Sequence, residues 1–477
     1  MGACQALLGE GSRLQADGFP PRGSGVKGRG ELAPAALWQD PAALGDAWTW
    51  KPGAVLLGQW QGRTIGVSDD RHVVTLAGSR AGKTRSVLIP NLLNYPGPMV
   101  VIDPKGELAK ATAPKRSAFG PVHVLDPFGA SGFPSSTHNP FDVLRTSSAG
   151  LVAADAAQVA DALIIEPPGS RDTHWTDSAK NLIKGLVLHL LETQPERATL
   201  RGVRHLLSET PAELGATFMR MADSAAYDGA LANIGTAFLS SMLFEGGAAV
   251  GFTGEMKSIL STARQQTAPL DDVAPVTDAS SFSLADIGRK NLTIYLVLPG
   301  MRLGSHARWL RLFIMQALAA MERNPIAYGN LPAWFVLEEF AALGRVQAIE
   351  TAAGYMAGYG VKLWAVLQDL SQLKAHYRDS WETFLGNAGI VQAFGNVDLT
   401  TTRHLSEMLG QASITEKKTS YVTASQRTQG DDGTRMDLRS VPLLAANEIS
   451  LYFARQTGRQ LVLVPGELPI YMDRLKD

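Results

Sequence analysis

The glycine-rich segment AGSRAGKT, residues 77–84, sets the strictest limits on how this 477-residue chain can fold. An apolar run from His72 to Leu76 comes before it and predicts a buried strand, and a helical stretch begins at Lys83. A strand, a tight loop and a helix in this order form a P-loop, where backbone N–H groups and a helix N-terminus surround phosphates. The sequence therefore predicts an α/β nucleotide-binding domain built around this segment.

The residue types in this loop indicate how it would hold a nucleoside triphosphate. The expected nucleotide-binding residues are Gly78, Ser79, Arg80, Ala81, Gly82, Lys83, Thr84 and Arg85. Lys83 is expected to reach the β- and γ-phosphate oxygens and to be catalytic, and the Thr84 hydroxyl to coordinate Mg²⁺. Ala77 stands where the first glycine of the pattern is usual, which a negative φ would permit. A Gly-Lys-Thr segment with no nucleotide role is the alternative, and the strand-loop-helix setting disfavours it.

An acidic pair follows a second buried strand. Glu338 and Glu339 come directly after the apolar run Trp334 to Leu337. In such a pair the first carboxylate holds Mg²⁺, usually through water, and the second polarises the attacking water. We therefore predict Glu338 as a metal ligand, although aspartate is commoner there, and Glu339 as the catalytic base. The alternative is that both glutamates only cap a strand in solvent.

Two further polar segments follow predicted strands. Gln368 ends the run Leu363 to Leu367, where an amide can orient water and report the state of the nucleotide, so we count it as catalytic. The segment DPKGE, residues 103–107, follows the run Met99 to Ile102. In a parallel sheet its strand would end on the same rim as the P-loop, where ligands gather. A solvated turn shaped by proline and glycine is an equally open interpretation of this segment.

Local composition and the spacing of apolar residues predict four successive parts of the chain. They are a flexible arm or linker over 1–54, a first part of the nucleotide-binding domain over 55–165, an all-α domain over 166–278, and a second nucleotide-binding part over 279–477. The arm is inferred because residues 18–34 are rich in Gly and Pro. In the all-α part apolar residues recur at helical spacing, and Thr210 to Glu213 predict a capping box. The polar stretch from Thr415 to Asp437 is predicted as a mobile loop or an exposed hairpin.

Strand signals return after the helical part. The predicted strands there are Thr293 to Leu298, Trp334 to Leu337, Leu363 to Leu367 and Leu461 to Val464. Each is a near-continuous apolar run, which is typical of a strand buried on both faces of a parallel sheet. The sheet is therefore expected to resume after the helical insertion.

Composition excludes several classes of protein. Lys plus Arg number 44 against 45 for Asp plus Glu, so the whole chain lacks the basic excess of a nucleic-acid binder, and any DNA-binding groups must be local. The single cysteine, Cys4, excludes an internal disulfide framework and indicates a reducing compartment. No apolar stretch reaches the roughly 18 to 20 residues of a membrane-spanning helix, and no secretory leader is predicted.

Several motifs together resemble the type IV coupling proteins of the TraG branch. The matching segments are HVVTLAGSRAGKTRSVLIPNLL (72–93), VVIDPKGE (100–107), VHVLDPF (122–128), HNPFD (138–142), HWTDSAKNLI (174–183), LEEFAALGR (337–345), MAGYGVKLWAVLQDLSQL (356–373) and FGNVDLTTTRHLSEMLG (394–410). They extend over about residues 55 to 475, and the combination of DPKGE with AGYG and QDLSQL is much more specific than the P-loop alone.

The resemblance implies a hexameric ATPase with a RecA-like P-loop NTPase fold, a parallel-rich central sheet and an inserted all-α domain that selects substrate. It implies ATP and Mg²⁺ as cofactors. The implied partners are single-stranded DNA with its attached relaxase and the secretion channel, at the cytoplasmic face of the bacterial inner membrane. Members usually carry N-terminal membrane-spanning helices, and this sequence predicts none.

By position, Lys83 and Thr84 match the residues with which the family binds phosphate and Mg²⁺. Glu338 and Glu339 match its acidic motif, and Gln368 matches its polar sensor. No motif fixes the arginine finger expected from a neighbouring subunit. Arg403 and Arg439 are the candidates, with Arg403 as the catalytic choice. Two alternatives remain open: a soluble hexameric DNA translocase akin to FtsK or HerA, and an adaptor whose nucleotide site only stabilises the fold.

Overall fold

A computed structural model of the chain describes residues 36–148, 150–166, 173–327, 330–419 and 434–475. In these ranges the strands are β1 (Val55–Trp60), β2 (Arg63–Val67), β3 (His72–Ala77), β4 (Met99–Asp103), β5 (Val122–Leu125), β6 (Met242–Glu245), β7 (Ala248–Phe252), β8 (Thr293–Val297), β9 (Ala333–Leu337), β10 (Val361–Leu367), β11 (Ala388–Phe394), β12 (Gln411–Thr419), β13 (Thr434–Pro442), β14 (Arg459–Leu463) and β15 (Ile470–Asp473).

The helices in the same ranges are α1 (Ile89–Asn94), α2 (Glu107–Arg116), α3 (Phe141–Arg145), α4 (Val152–Leu163), α5 (His174–Thr193), α6 (Leu200–Leu207), α7 (Pro211–Ala222), α8 (Ala230–Leu239), α9 (Gly254–Thr267), α10 (Leu270–Thr277), α11 (Leu303–Arg323), α12 (Gln347–Tyr355), α13 (Leu370–Tyr377), α14 (Glu382–Gly386), α15 (Leu399–Leu409) and α16 (Ala446–Tyr452). None of them is both long enough and apolar enough to cross a membrane.

The chain divides into two compact units. Among the described residues the first comprises 36–91, 367–375, 388–419 and 434–475, and the second comprises 92–148, 150–166, 173–327, 330–366 and 376–387. Both units are assembled from segments that are distant in sequence.

In the first unit the strands lie in the order β2-β1-β15-β14-β11-β3. Strand β11 runs parallel to β3 and antiparallel to β14. Every residue of β3 and of β11 is buried, as the near-continuous apolar runs require of strands covered on both faces. Their buried polar groups are paired, since Gln392 lies within hydrogen-bonding distance of both Thr75 (3.3 Å) and Gln460 (3.3 Å).

Residues 36–54 pack against this unit, which corrects the prediction of a flexible arm that extends to residue 54. The main-chain N–H of Ala36 donates to Gln411 at 2.8 Å, and that of Gln39 donates to Pro469 at 2.9 Å. The Trp38 ring meets Tyr471 edge-on with centroids 5.4 Å apart. Local composition did not indicate these contacts, because the partner segments are more than 350 residues away. The predicted arm over 1–35 lies outside the described residues.

The polar stretch after residue 411 contains paired strands. Strands β12 and β13 run antiparallel from Gln411 opposite Pro442 to Thr419 opposite Thr434. This pairing agrees with the hairpin alternative and excludes an unstructured loop over the paired residues. Residues 420–433 lie outside the described part of the chain.

In the second unit five parallel strands lie in the order β10-β9-β4-β8-β5. Its core includes Trp334, whose ring stacks on Tyr95 at 3.8 Å and meets Trp364 edge-on at 5.4 Å. Buried Arg116 donates to the carbonyls of Leu92, Tyr95 and Gly97 at 2.6–2.9 Å, which holds the chain that enters β4. Burial lowers the pKa of Arg116 to about 10, so it stays protonated at neutral pH.

Helices α5 to α10 fill the region predicted as all-α. Thr210 forms the predicted capping box, because its N–H donates to Glu213 at 2.9 Å while the Glu213 N–H donates to the Thr210 hydroxyl at 3.4 Å. One departure from the all-α prediction is the antiparallel hairpin of β6 and β7. Its turn is Gly246-Gly247, both with positive φ, a local hairpin signal that the surrounding helical pattern obscured.

Candidate nucleotide-binding site

The glycine-rich segment forms a tight loop between β3 and a helix in the first unit. The Gly78 N–H donates to the Phe394 carbonyl at 3.1 Å, and the Ala81 N–H donates to the Gly78 carbonyl at 3.2 Å. Within the loop φ is +55° at Arg80 and +91° at Gly82. Ala77 is the last residue of β3, where extended backbone accepts a methyl group, so the departure from the usual glycine is accommodated.

Two glycines let the loop pack closely against the end of β11. A Cβ at Gly78 would lie 1.9 Å from the Gly395 carbonyl oxygen, and one at Gly395 would lie 2.6 Å from the Cβ of Ala81. Neither distance is possible for a real side chain, so both positions require glycine. The loop is therefore built on two adjacent strand ends, β3 and β11.

The helix after the loop begins with a π-helical turn, Thr84–Leu88, and continues as α1. The Ser86 N–H and hydroxyl each donate to the Gly82 carbonyl at 2.9 Å, which closes the first turn on the loop. Lys83 and Thr84 are half-buried at this junction, whereas Ser79, Arg80 and Arg85 are exposed. The predicted phosphate-binding residues are thus contiguous in the first unit, and all of them except buried Ala81 are at least partly exposed.

Gln368 lies on the same unit, directly after β10. It is half-buried, and its main-chain carbonyl accepts a 3.1 Å hydrogen bond from the side-chain amide of Asn396. Asn396 follows Gly395 and is 4% exposed, and among the described residues its Oδ1 has no hydrogen-bond partner. The predicted sensor is therefore linked to the strand end that abuts the P-loop.

Arg474, which follows β15, is the buried cation of this unit that touches the loop. Its Nη1 donates to the Ala81 carbonyl, and its Nη2 donates to the Arg455 carbonyl at 2.6 Å. The guanidinium carbon lies 4.6 Å from the centre of the Phe394 ring. Burial lowers the pKa of Arg474 below the ordinary arginine value.

The acidic pair lies in the second unit, at the end of β9. Glu338 is 8% exposed, and Glu339 adopts a left-handed conformation with φ 55° and ψ 44°. A non-glycine residue there carries backbone strain of about 1–3 kcal/mol, which clusters at functional sites. Glu338 is buried and Glu339 half-buried, which argues against the alternative of two glutamates that only cap a strand in solvent.

Arg311 of α11 holds the loop that follows this pair. Its Nη1 donates to the carbonyls of Leu343 (3.0 Å) and Arg345 (2.6 Å), and its Nε makes a longer contact with Ala162 at the end of α4. One turn earlier, Arg308 donates to the Leu163 carbonyl and to the Gln266 side chain, both at 3.0 Å. Helix α11 thus connects the helical block to the acidic loop.

The DPKGE segment is not a simple solvated turn. Asp103 is fully buried and accepts from the Ala109 N–H at 2.8 Å, which stabilises the start of α2. Burial raises the pKa of Asp103, and hydrogen bonds from backbone N–H groups oppose that rise. A Cβ at Gly106, where φ is +69°, would lie 2.8 Å from the Ser131 Cα. Lys105 and Glu107 are exposed. The segment has a structural role at the end of β4.

The two arginine-finger candidates are exposed in the first unit. Arg403 lies on α15, and within the described ranges it makes no hydrogen bond or ion pair; Arg439 lies on β13.

The structure brings together the P-loop and the Gln368 backbone. The sequence analysis missed Asn396 and Arg474 of the first unit, and Arg311, which holds the acidic loop of the second unit. Only Asn396 had a local signal, a polar residue just after the apolar run of β11.

Comparisons with known proteins agree on one family. A family model described as Type IV secretory system Conjugative DNA transfer matches residues 28–476. The chain is 28% identical over 399 residues to the conjugal transfer protein TraG of Escherichia coli, covering 78% of this chain and 61% of TraG. It is 26% identical over 434 residues to the protein VirD4 of Agrobacterium fabrum, and the match covers 88% of this chain and 60% of VirD4. It therefore spans about three fifths of the length of these curated relatives.

The similar solved structures include the plasmid coupling protein TrwB. The complex of TrwB with the ATP analogue ADPNP has a TM-score of 0.68 at 14% identity, and 95% of this chain and 96% of TrwB are covered. The complex of TrwB with ADP and Mg²⁺ has a TM-score of 0.65 at 14% identity, and 94% of this chain and 97% of TrwB are covered. At this identity the likeness establishes the fold. The predicted class, a RecA-like α/β P-loop NTPase with a parallel-rich sheet, is confirmed.

Proposed function

Because the chain belongs to the type IV secretory system conjugative DNA transfer family, we propose that it is an ATP-driven coupling protein. Its cargo is single-stranded DNA with an attached relaxase, which it passes to a secretion channel at the cytoplasmic face of the bacterial inner membrane. The observation that carries this proposal is the P-loop, where Gly78 of the loop and Gly395 at the end of β11 allow a close backbone approach between two strand ends. TrwB has been solved with ADPNP and with ADP and Mg²⁺, which supports the choice of nucleotide.

The residues of the loop fit a magnesium-bound nucleotide. Gly82, with φ +91°, leaves the backbone open on a surface segment that ends in an amine and a hydroxyl, on Lys83 and Thr84. Backbone N–H groups and an ammonium suit phosphate oxygens, and a hydroxyl suits a hard cation. Thr84, and Glu338 through water, would hold Mg²⁺, which would supply charge neutralisation at the phosphates.

The proposed reaction is hydrolysis of the bond between the γ-phosphorus and the β–γ bridging oxygen. Lys83 stabilises the charge that develops on the phosphoryl oxygens, and Gln368 orients the attacking water. Glu339 accepts the proton of that water as its oxygen bonds to phosphorus, and ADP and inorganic phosphate leave. The roles of the two glutamates rest on their position at the end of a buried strand and on the family resemblance.

A neighbouring subunit is proposed to supply the cation opposite Lys83, which requires a head-to-tail ring, a homohexamer. Arg403 supports this because it is exposed and unengaged within the described ranges. Mixing K83A with R403A subunits tests it, since interfaces with an intact P-loop and an intact Arg403 should recover activity. A mixture as inactive as either variant, with turnover of the wild type independent of protein concentration, would contradict the ring.

The helical block over 166–278 is proposed to select the cargo. It lies outside the P-loop and the acidic pair, so its contribution is recognition rather than chemistry. Replacing residues 173–278 with the corresponding block of a relative that transfers another cargo should switch the cargo delivered and preserve ATP hydrolysis. An exchanged protein that still delivers its original cargo would contradict this role.

Steady-state ATP hydrolysis with and without single-stranded DNA tests the function as a whole. Wild-type protein should hydrolyse ATP faster with single-stranded DNA, and K83A should lose about 100-fold or more in kcat. K51A, which removes an exposed lysine of the same unit, is the matched control and should keep wild-type rates. Full activity in folded K83A would refute the P-loop assignment. Nucleotide binding without hydrolysis would favour the adaptor, and stimulation by duplex DNA alone would favour the FtsK- or HerA-like translocase.

A further inference from the structure

Resting on the proposed nucleotide site, we propose that Arg474 is a positioning residue for phosphate binding: it orients the peptide group between Ala81 and Gly82 in the P-loop. Ala81 and Gly82 each come almost 400 positions before Arg474 in the sequence. The P-loop pattern does not predict an arginine beside them.

The contacts of Arg474 fix it from several sides. Its main-chain N–H donates to the Gly458 carbonyl at 2.7 Å, which sets the backbone after β15. Its side chain is 7% exposed and donates to the Ala81 and Arg455 carbonyls. The guanidinium also lies on the Phe394 ring. Only a planar fork with several N–H donors meets both carbonyls and an aromatic face at once.

Phe394 links this contact to the loop a second time. Its carbonyl accepts from the Gly78 N–H at 3.1 Å, at the start of the loop, while its ring supports the guanidinium that holds Ala81 further along. Arg474 therefore restrains the loop through a direct hydrogen bond and through the residue that anchors the loop's first N–H.

Peptide geometry gives the direction of the effect. The carbonyl of Ala81 and the N–H of Gly82 belong to one planar trans peptide group, so they point to opposite sides. With the carbonyl turned toward Arg474, the Gly82 N–H is directed away from it. Loop N–H groups are the donors that a P-loop offers to phosphate oxygens. Without Arg474 this peptide group could rotate, because Gly82 accepts a wide range of φ.

Charge adds a second contribution. Among the described residues Arg474 forms no ion pair with a carboxylate, and its Nε has no hydrogen-bond partner. A buried cation without a counter-ion is unfavourable, and a nearby anion relieves the cost. A nucleotide phosphate in the loop is such an anion. Binding of the nucleotide should therefore be weaker when the guanidinium is removed.

The test uses the full chain with the variants R474M and R474K. The matched control is R455M, which removes an exposed arginine side chain. Only the main-chain carbonyl of Arg455 accepts a hydrogen bond from Arg474, so R455M leaves that contact in place. The probes are Mg²⁺ with a fluorescent ADP for the Kd, and ATP for kcat and KM. We expect R474M to weaken ADP binding and raise KM by about tenfold, with a smaller change in kcat at saturating ATP. R474K keeps the charge but loses the fork, so it should lie between R474M and the wild type, and R455M should match the wild type.

The outcomes separate this inference from the function on which it rests. If wild-type protein neither binds nor hydrolyses ATP, the proposed function fails. If it does both and folded R474M retains wild-type ADP affinity and KM, the positioning role alone is wrong. Should R474M not fold, R474K decides: wild-type affinity in that variant overturns the inference, and a several-fold loss that spares kcat supports it. A loss in kcat with unchanged ADP affinity would also overturn it.

Discussion

The side-chain amide of Asn396 donates a 3.1 Å hydrogen bond to the main-chain carbonyl of Gln368. This contact joins the strand end that packs on the P-loop to the residue predicted to report the state of the nucleotide. Asn396 is 4% exposed, so this donor is held inside the protein rather than in solvent. The position of Gln368 relative to the loop therefore depends on a residue that comes 28 positions later in the chain.

We expect N396A to lower kcat by roughly two- to tenfold while it changes ADP affinity little. The physical reason is that a lost neutral hydrogen bond is worth about 0.5–1.5 kcal/mol and leaves the Gln368 carbonyl unsatisfied. The measurement is kcat together with the ADP Kd. N387A removes an asparagine that makes the same kind of bond, to the Thr383 carbonyl at 3.0 Å, and serves as the control. Equal kcat values in both variants would argue against a link between Asn396 and the sensor.

For the acidic pair, E339Q should bind ATP but hydrolyse it at least about 100-fold more slowly, because an amide keeps the shape of the side chain and cannot accept a proton. Single-turnover hydrolysis and ADP binding measure the two effects separately. E382Q, an exposed glutamate of α14, controls for the loss of a charge. If E339Q instead loses Mg²⁺-dependent binding and E338Q loses only the rate, the two roles must be exchanged.

A pH dependence of stability follows from His138, part of the segment HNPFD. Burial lowers its pKa from 6.5 to about 4, and Gln316 and Asp142 oppose that shift only in part. Above pH 6.5 neither the folded nor the unfolded chain holds the proton. Between pH 6.5 and 4 the unfolded chain binds it first, so the free energy of unfolding falls, by at most on the order of 3 kcal/mol. Below pH 4 both states hold it.

We expect H138F to remove this part of the acid sensitivity, since a phenyl ring suits the neighbouring Phe282 and Phe313 rings, whose centroids lie 5.6 and 5.2 Å away. Urea unfolding of both proteins at pH 7.5 and at pH 5 measures the difference. The other histidines are common to both proteins, so the comparison isolates His138. Parallel stability curves for the two proteins over this range would contradict the prediction.

The sequence predicted those elements whose signal is local. Strand β3 was predicted from His72 to Leu76 and observed to Ala77, because a strand buried on both faces is a near-continuous apolar run. The P-loop was predicted because its glycines, its lysine and its position after a strand are all contiguous. For β12 and β13 the sequence left a loop and a hairpin open, since mostly polar residues form these strands and no apolar run marks them.

Contacts between distant segments could not be predicted in this way. Arg474, which follows β15, reaches Ala81 because β15, β14, β11 and β3 are neighbours in that order. Asn396, which follows β11, reaches Gln368 although 28 residues separate them. Strand order is a property of the whole fold, and an arginine or asparagine outside a motif carries no signal of its partner. For the same reason the sequence named the residues expected to do chemistry but not those that hold them in place.

Helix α11 is positioned to let the helical block influence hydrolysis. Arg311 holds the carbonyls of Leu343 and Arg345 just after the acidic pair, and Arg308, one turn away, holds the end of α4 and Gln266 of α9. The two arginines share a helix but differ in what they touch, so they form a natural pair of variants.

We expect R311M to lower basal kcat by about tenfold and to weaken the stimulation by single-stranded DNA, because one buried and one part-buried carbonyl of the acidic loop lose a charged donor. R308M should keep basal kcat and lose only the stimulation, since it releases the helical block but not the acidic loop. ADP affinity should be unchanged in both, as neither arginine hydrogen-bonds to the P-loop. Basal and DNA-stimulated rates, with the ADP Kd, provide the comparison. If R308M is stimulated by DNA as strongly as the wild type, the contact between α11 and the helical block does not transmit cargo binding, and α11 only stabilises the fold.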